Sequence, residues 1–369
     1  MPPGMQYWVP TMSHDATFLV TGANGFIGGW LAEALYLTGG SGVRAGIHRW
    51  SGAARLARFP MSIVPCDVLV PDQLASAMDG VTCVLHCAKG RDETIVQETQ
   101  NVLDAASRQG LRRLVYVSTT EVYGNHCGKI DETFPLELTG NSYADSKIEA
   151  ENLCWEYHKR GLPVTVIRPS IVYGPFSATW TVNIARKLQS GNWGIFREHG
   201  DGVCNLIFIT DLVRAILLAA SDERAIGEAF NVNGPESRTW NEFFQGFNRA
   251  LGLPELRIVD PHAGGLRAAS MELLRKPASY ARDHCEGPLR RAATYSRLAR
   301  QVMKSLELLM KTSPRTSDFS LYSRDALYLD TKARVVLGYK PEIELDAGLD
   351  MCVRWLCQVG LSRSSRESS

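Results

Sequence analysis

The chain has 369 residues, 45% of them hydrophobic, and a formal net charge of +1: enough apolar material for a large core, and too little charge asymmetry to mark a nucleic-acid binder or a partner for acidic surfaces. Nine cysteines without Cys-x-x-Cys spacing or a His-rich tract exclude a disulfide framework and a metal site, and fit free thiols in a cytoplasmic protein. No apolar run reaches the ~18 residues of a membrane span, and residues 1–15, which lack a signal-peptide pattern, are expected to be a loose tail, as are 362–369.

Strand and helix patterns alternate from Thr17 to about Val172. That order builds an α/β fold, a doubly wound parallel sheet whose ligands lie at the carboxyl ends of the strands. Phe18-Leu19-Val20 reads as the first strand and runs into Thr21-Gly22-Ala23-Asn24-Gly25-Phe26-Ile27-Gly28. Phe26, Ile27, Trp30, Leu31, Ala34 and Leu35 then keep the spacing of a helix with one apolar face. A strand, a glycine turn and a helix in succession let backbone N–H groups approach a pyrophosphate. The second strand, Val43–Ile47, ends in His48 and Arg49 with no carboxylate. Cations there suit the extra phosphate of NADP(H), which is favoured over NAD(H).

Further strands are expected at 62–65, 83–86, 114–118 and 164–168. About 25 residues after the fifth strand comes Tyr143-Ala144-Asp145-Ser146-Lys147, a phenol and an ammonium on one helix face. A free tyrosine, with a pKa near 10, is a poor base at neutral pH. A lysine about 4 Å away is worth on the order of 4 kcal/mol at an effective dielectric near 20, so Lys147 is expected to draw Tyr143 down into working range. Past Pro175 the pattern loosens, with a helix expected over 182–189, a short strand at 206–209 and a helix over 212–220.

Taken together, Thr21–Gly28, Leu85-His86-Cys87-Ala88, Ser118-Thr119-Thr120-Glu121-Val122-Tyr123-Gly124, Tyr143–Lys147, Arg168-Pro169-Ser170-Ile171-Val172-Tyr173-Gly174-Pro175 and Thr210-Asp211-Leu212 resemble an extended short-chain dehydrogenase/reductase of the epimerase and dehydratase superfamily. Asp330-Thr331-Lys332-Ala333 and Leu337-Gly338-Tyr339-Lys340-Pro341 extend that resemblance. It implies a Rossmann-type NAD(P) domain over 16–175 and a smaller substrate-binding lobe over 176–361, some segments of which return to the first domain. It further implies Thr119, Tyr143 and Lys147 as catalytic residues, with Thr119 orienting the substrate oxygen and Lys147 also holding the nicotinamide ribose. The cofactor would be held by Gly22, Asn24, Gly25, Phe26, Ile27, Gly28, His48, Arg49, Asp67, Val68, Cys87, Ala88, Lys89, Pro169 and Ile171, together with Tyr143 and Lys147. A homodimer, through helices around 101–109 and 143–158, is implied in the same way.

Substrate class stays open between two enzymes. A nucleotide-sugar 4-epimerase or dehydratase with bound NAD is one, and Glu121 resembles the glutamate of the dehydratase pattern. Thr120 replaces its aspartic acid, Ile171 an asparagine that commonly contacts the nucleotide-sugar, and Cys204 an arginine that commonly grips its diphosphate. The other resembles the 3β-hydroxysteroid or sterol dehydrogenase branch, and is the favoured reading: an oxidoreductase interconverting a secondary alcohol and a ketone. Lys89, Thr120, Glu121, Ser170 and Cys204 are its candidate substrate residues. Residues 264–312 hold ten Lys or Arg against four Asp or Glu, with apolar residues at helical spacing. Such an insert fits a peripheral membrane contact, a cap on an apolar pocket, a grip on a diphosphate, or a helix packed with a solvated basic face. A non-catalytic dinucleotide-binding protein is the third class, disfavoured because binding alone does not need the phenol.

Overall fold

The computed structural model describes residues 16–39, 42–259, 312–314 and 316–362. These fall into two compact units. The first takes its described residues from Met1–Ser177, Asn205–Ser237 and Ala326–Glu344, the second from Ala178–Cys204, Arg238–Asp325 and Leu345–Ser369. The basic insert expected at 264–312 lies outside the described residues, apart from Thr312.

The first unit is built on seven parallel strands: β1 Phe18–Thr21, β2 Val43–Ile47, β3 Ser62–Pro65, β4 Cys83–His86, β5 Arg113–Val117, β6 Val164–Pro169 and β7 Ala229–Val232. Their spatial order is β7-β6-β5-β4-β1-β2-β3. The chain winds outward from β1 through β2 to β3, then returns to place β4 on the other side of β1. This reversal between β1 and β4 opens a crevice at the carboxyl ends of the strands. Every residue of β1, β5 and β6 is buried, as a parallel sheet covered on both faces demands. Six strands lie within a residue or so of their expected places. The seventh was not expected from the sequence, and the strand Leu206–Phe208 pairs instead with Ile171–Tyr173 in a separate two-stranded sheet.

Its helices are α1 Phe26–Leu37, α2 Pro71–Met78, α3 Ile95–Gln109, α4 Ser142–Lys159, α5 Ile209–Ser221 and α6 Thr331–Leu337. Two of them start in ways that matter for the site. Gly25 precedes α1 in an extended conformation without a side-chain cap, leaving the first N–H groups of that helix available to an anion. Asn141 caps α4, its Oδ1 accepting from the N–H of Tyr143 at 3.1 Å and of Ala144 at 3.3 Å. The turn that carries Tyr143 is thereby fixed.

In the second unit, helices Asn183–Gln189, Trp240–Ala250 and Leu345–Gln358 surround a dense aromatic core. Trp193, Phe196, Trp240, Phe244 and Tyr322 are almost fully buried there, with the Trp240 and Tyr322 ring centres 4.5 Å apart.

Candidate active site

The glycine turn has the shape a dinucleotide requires. Gly22 adopts φ +66°, and a Cβ there would sit 2.7 Å from the Ala88 Cα. A Cβ on Gly28 would fall 2.4 Å from the Gly22 carbonyl oxygen, and the Gly25 N–H donates to that oxygen at 2.9 Å. Only glycines keep this cradle open, so these residues fit a pyrophosphate. Phe26 and Ile27 are half-buried behind it, and Asn24 lies exposed on the turn, packed close to Gly52.

Thr21, at the end of β1, organises the floor beneath. Its Oγ1 accepts from the N–H groups of Cys87 and Ala88, each at 3.2 Å. Those two bonds fill its lone pairs, so its own proton goes to His86 Nδ1, 2.8 Å away. The imidazole therefore carries its hydrogen on Nε2, which is buried and has no hydrogen-bond partner among the described residues. Burial, aided by the charge of Lys147, pushes the pKa of His86 down to about 3.

At the end of β2, His48 and Arg49 are exposed. His48 Nε2 lies 3.3 Å from Asp67 Oδ2 in the loop after β3. A carboxylate absent from the end of β2 in sequence is thus brought there from the neighbouring strand. Asn101 on α3 donates to the Val68 carbonyl at 3.0 Å. Pro169 closes β6, the Ser170 hydroxyl donates to Asn233 Oδ1 at 2.8 Å, and the Ile171 N–H donates to the Asn205 carbonyl at 3.0 Å.

Thr119, Tyr143 and Lys147 come from two elements. Thr119 follows β5 with its Oγ1 accepting from the Glu121 N–H at 3.2 Å, and its hydroxyl stands near enough to the Tyr143 phenol to oppose the rise of its pKa. Lys147, one turn along α4, is buried, and its Nζ donates to the Val117 carbonyl at 2.8 Å and to the Tyr116 hydroxyl at 3.1 Å. Burial lowers its pKa to about 8, against the raising influence of Cys87, Glu151 and Cys154.

One expectation is corrected here. Tyr143 is not drawn down by Lys147 in this structure. Burial lifts the phenol to about 12, the nearby Thr119 hydroxyl opposes that rise, and the charges of Glu121 and Asp92 add to it. The Lys147 ammonium is engaged at the carboxyl end of β5 instead.

Of the substrate candidates, Lys89 stands over the Tyr143 ring, its Nζ 4.6 Å from the ring centre. Thr120 and Ser170 are buried, and Glu121 is half-buried. Cys204 belongs to the second unit and is fully buried there. Its thiol is held well above its ordinary range by burial, and a group in that position presents nothing to a ligand in this structure. Three residues that sequence reasoning missed support the site: His86, Glu98 and Glu151. Glu151 had a legible signal, standing eight residues after Tyr143 and four after Lys147 and hence on the same helix face.

The profile of the NAD dependent epimerase/dehydratase family matches residues 18–233. The chain belongs to that family. Among its relatives, sterol demethylase protein B of Methylococcus capsulatus is 30% identical over 259 residues, 66% of this chain and 77% of the relative. An uncharacterized UDP-glucose epimerase, YtcB of Bacillus subtilis, is 28% identical over 248 residues, 59% of this chain and 77% of the relative. UDP-glucuronic acid 4-epimerase of Bacillus cereus, solved in complex with NAD, superposes with a TM-score of 0.69 at 20% identity, covering 93% of this chain and 99% of that one. The last likeness establishes the Rossmann-type fold. Among the described residues no helix is long and apolar enough to cross a membrane, no cluster of three or more His, Cys, Asp or Glu could hold a metal, and the eight cysteines carry free thiols.

Proposed function

We propose that this member of the epimerase/dehydratase family is an NAD(P)-dependent oxidoreductase that interconverts a secondary alcohol and a ketone, with Tyr143 as general acid/base. The observation that carries this reading is the placement of the Thr119 hydroxyl near the Tyr143 phenol beside the carboxyl end of β5. Two neighbouring hydroxyls there can hold one substrate oxygen between them. In the oxidative direction the Thr119 hydroxyl orients the carbinol oxygen and the Tyr143 oxygen takes its proton; in reduction the proton returns by the same path. The nicotinamide, when bound, supplies the hydride acceptor or donor. Lys147 offers its ammonium to the ribose.

Burial of Cys204 and the aliphatic Ile171 weigh against a diphosphate grip of the usual kind, which favours an apolar alcohol or ketone over a nucleotide-sugar. The sterol-related relative points the same way. His48 and Arg49 support NADP(H), whereas the solved relative holds NAD, so both dinucleotides enter the test. Glu121 and the YtcB relative favour the second reading, nucleotide-sugar 4-epimerisation on a retained NAD.

The test is native mass spectrometry of freshly purified protein, followed by titration with NADP(H), NAD(H) and UDP-sugars and by assays on apolar ketones. Expected are tight NADPH binding, no response to UDP-sugars, and ketone reduction that Tyr143→Phe lowers by about 10²–10⁴-fold while sparing dinucleotide affinity. Retained NAD with turnover of a UDP-sugar and no net redox change would replace this reading with the epimerase. Unchanged turnover in Tyr143→Phe would remove Tyr143 from the mechanism.

A further inference from the structure

Lys89 belongs to the loop after β4, and that loop is fixed at three places by groups from three different elements. Thr21 at the end of β1 takes the N–H groups of Cys87 and Ala88 at 3.2 Å each. Glu98 on α3, only 5% exposed, accepts the Gly90 N–H at 2.9 Å and the Thr94 hydroxyl at 2.7 Å. Gly90 has no room for a side chain, since its Cβ would lie 2.1 Å from Glu98 Oε1. Asp92 takes the Lys89 ammonium at 3.2 Å and also the hydroxyl of Ser142, the residue before Tyr143, at 3.2 Å. The result is an ammonium held 4.6 Å from the centre of the Tyr143 ring. A surface lysine ordinarily keeps its rotamer freedom; here a buried carboxylate and a tight glycine shape the loop that brings it to one ring.

We propose that Lys89 is a second cation of the site, acting on the phenol of Tyr143, and that the Lys89–Asp92 pair sets how readily that phenol gives up its proton. The proposal rests on Tyr143 being the group that moves the proton. A cation over an aromatic face is attracted by the ring quadrupole, and more strongly by the full charge of a phenolate. Lys89 therefore favours the deprotonated form. The other groups facing Tyr143 are the Thr119 hydroxyl and Glu121 from the segment after β5, Asp92 from the braced loop, and Lys147 on its own helix. Burial, Glu121 and Asp92 hold the proton on the phenol, and with Lys147 engaged by the Val117 carbonyl and Tyr116, Lys89 is the cation placed to oppose them. Lys89 acts through Tyr143, and so is a positioning residue.

The experiment is a fluorine-19 NMR titration of the full chain carrying a polyfluorinated tyrosine at position 143, whose acidified phenol titrates where a lysine still keeps its charge, with and without bound dinucleotide. Lys89→Met should raise the Tyr143 midpoint by about one unit at low salt and by less at high salt. Lys89→Arg should restore it. Asp92→Asn removes a negative neighbour and should move the midpoint the other way, a change of sign that general loosening of the loop would not produce. Identical midpoints in the wild type and Lys89→Met, with dinucleotide affinity unchanged, overturn the proposal. So does a midpoint that responds to Asp92→Asn but not to Lys89. Should Lys89→Met fail to fold, Lys89→Gln gives the same reading with a polar side chain. Because the titration reads the phenol and not turnover, the proposal can fail while Tyr143 remains the acid/base, and an inactive role for Tyr143 shows separately in Tyr143→Phe kinetics.

Discussion

Glu151 closes a buried ion pair on Arg168, its Oε2 lying 2.6 Å from Arg168 Nη2, on the same helix face that presents Tyr143 and Lys147. Arg168 Nε reaches both carboxylate oxygens at 3.1 Å, and Nη1 donates to the Tyr123 hydroxyl at 2.8 Å, which in turn donates to Asn231 Oδ1 at 2.8 Å. The Ser118 hydroxyl also donates to Glu151. One carboxylate thus joins α4 to the end of β5 and to β6, and through Tyr123 to β7. Glu151→Ala would leave a guanidinium buried without its counter-ion. The expected loss is about 3–5 kcal/mol of unfolding free energy, measured by urea titration. A loss below about 1 kcal/mol would show that water or another carboxylate takes over.

Lys147 gives the stability curve a signature at alkaline pH. Its folded pKa of about 8 lies below the ordinary lysine value of 10.5, so between those values the unfolded chain holds a proton that the folded chain has lost. Stability then rises with pH across that window, by on the order of 1 kcal/mol per unit. Lys147→Met lacks this gain. The difference in stability between wild type and variant should swing toward wild type from pH 8 to 10, and a flat difference would place the ammonium in a wetter setting than the one described.

His86 acts at the other end of the scale. Its pKa falls from 6.5 to about 3 on folding, so its contribution is intact above pH 6.5 and is lost as pH drops toward 3, again by on the order of 1 kcal/mol per unit. In His86→Leu this slope disappears. Denaturant midpoints compared between pH 7 and 4 test this; parallel curves for the two proteins would contradict a buried neutral imidazole.

Gly28→Ala puts a methyl group against the Gly22 carbonyl at a distance where real atoms do not sit. The backbone must shift at the point where the pyrophosphate is expected, costing about 1–3 kcal/mol of stability and weakening dinucleotide binding at least as much. Calorimetric melting and fluorescence titration with NADPH report the two effects. Binding at wild-type strength would move the dinucleotide away from this turn.

Much of this was legible in the sequence because it is local. Strands of β-branched and apolar residues, the glycine turn and the Tyr143–Lys147 spacing all announce themselves within a few residues. β7 did not, being four residues, Ala229 to Val232, with an asparagine inside and no alternation to mark it. The supporting groups were hidden for a different reason. Glu98 and His86 matter because of partners on other elements, and although the resemblance already puts Asp67 at the cofactor, nothing near it in sequence announces that it will stand beside His48. The lowering of the Tyr143 pKa by Lys147, inferred from spacing, failed because a lysine has several reachable acceptors, and here its ammonium goes to the Val117 carbonyl and the Tyr116 hydroxyl.

Gly22 has a consequence for how this site can change. Its missing side chain leaves the space that the Ala88 backbone fills, and Ala88 is the residue before Lys89. The turn that receives the dinucleotide and the strip that carries a charge to the phenol are therefore in mechanical register. A substitution that displaced one would displace the other, so cofactor grip and proton transfer should drift together when this corner is altered, and should prove hard to engineer apart.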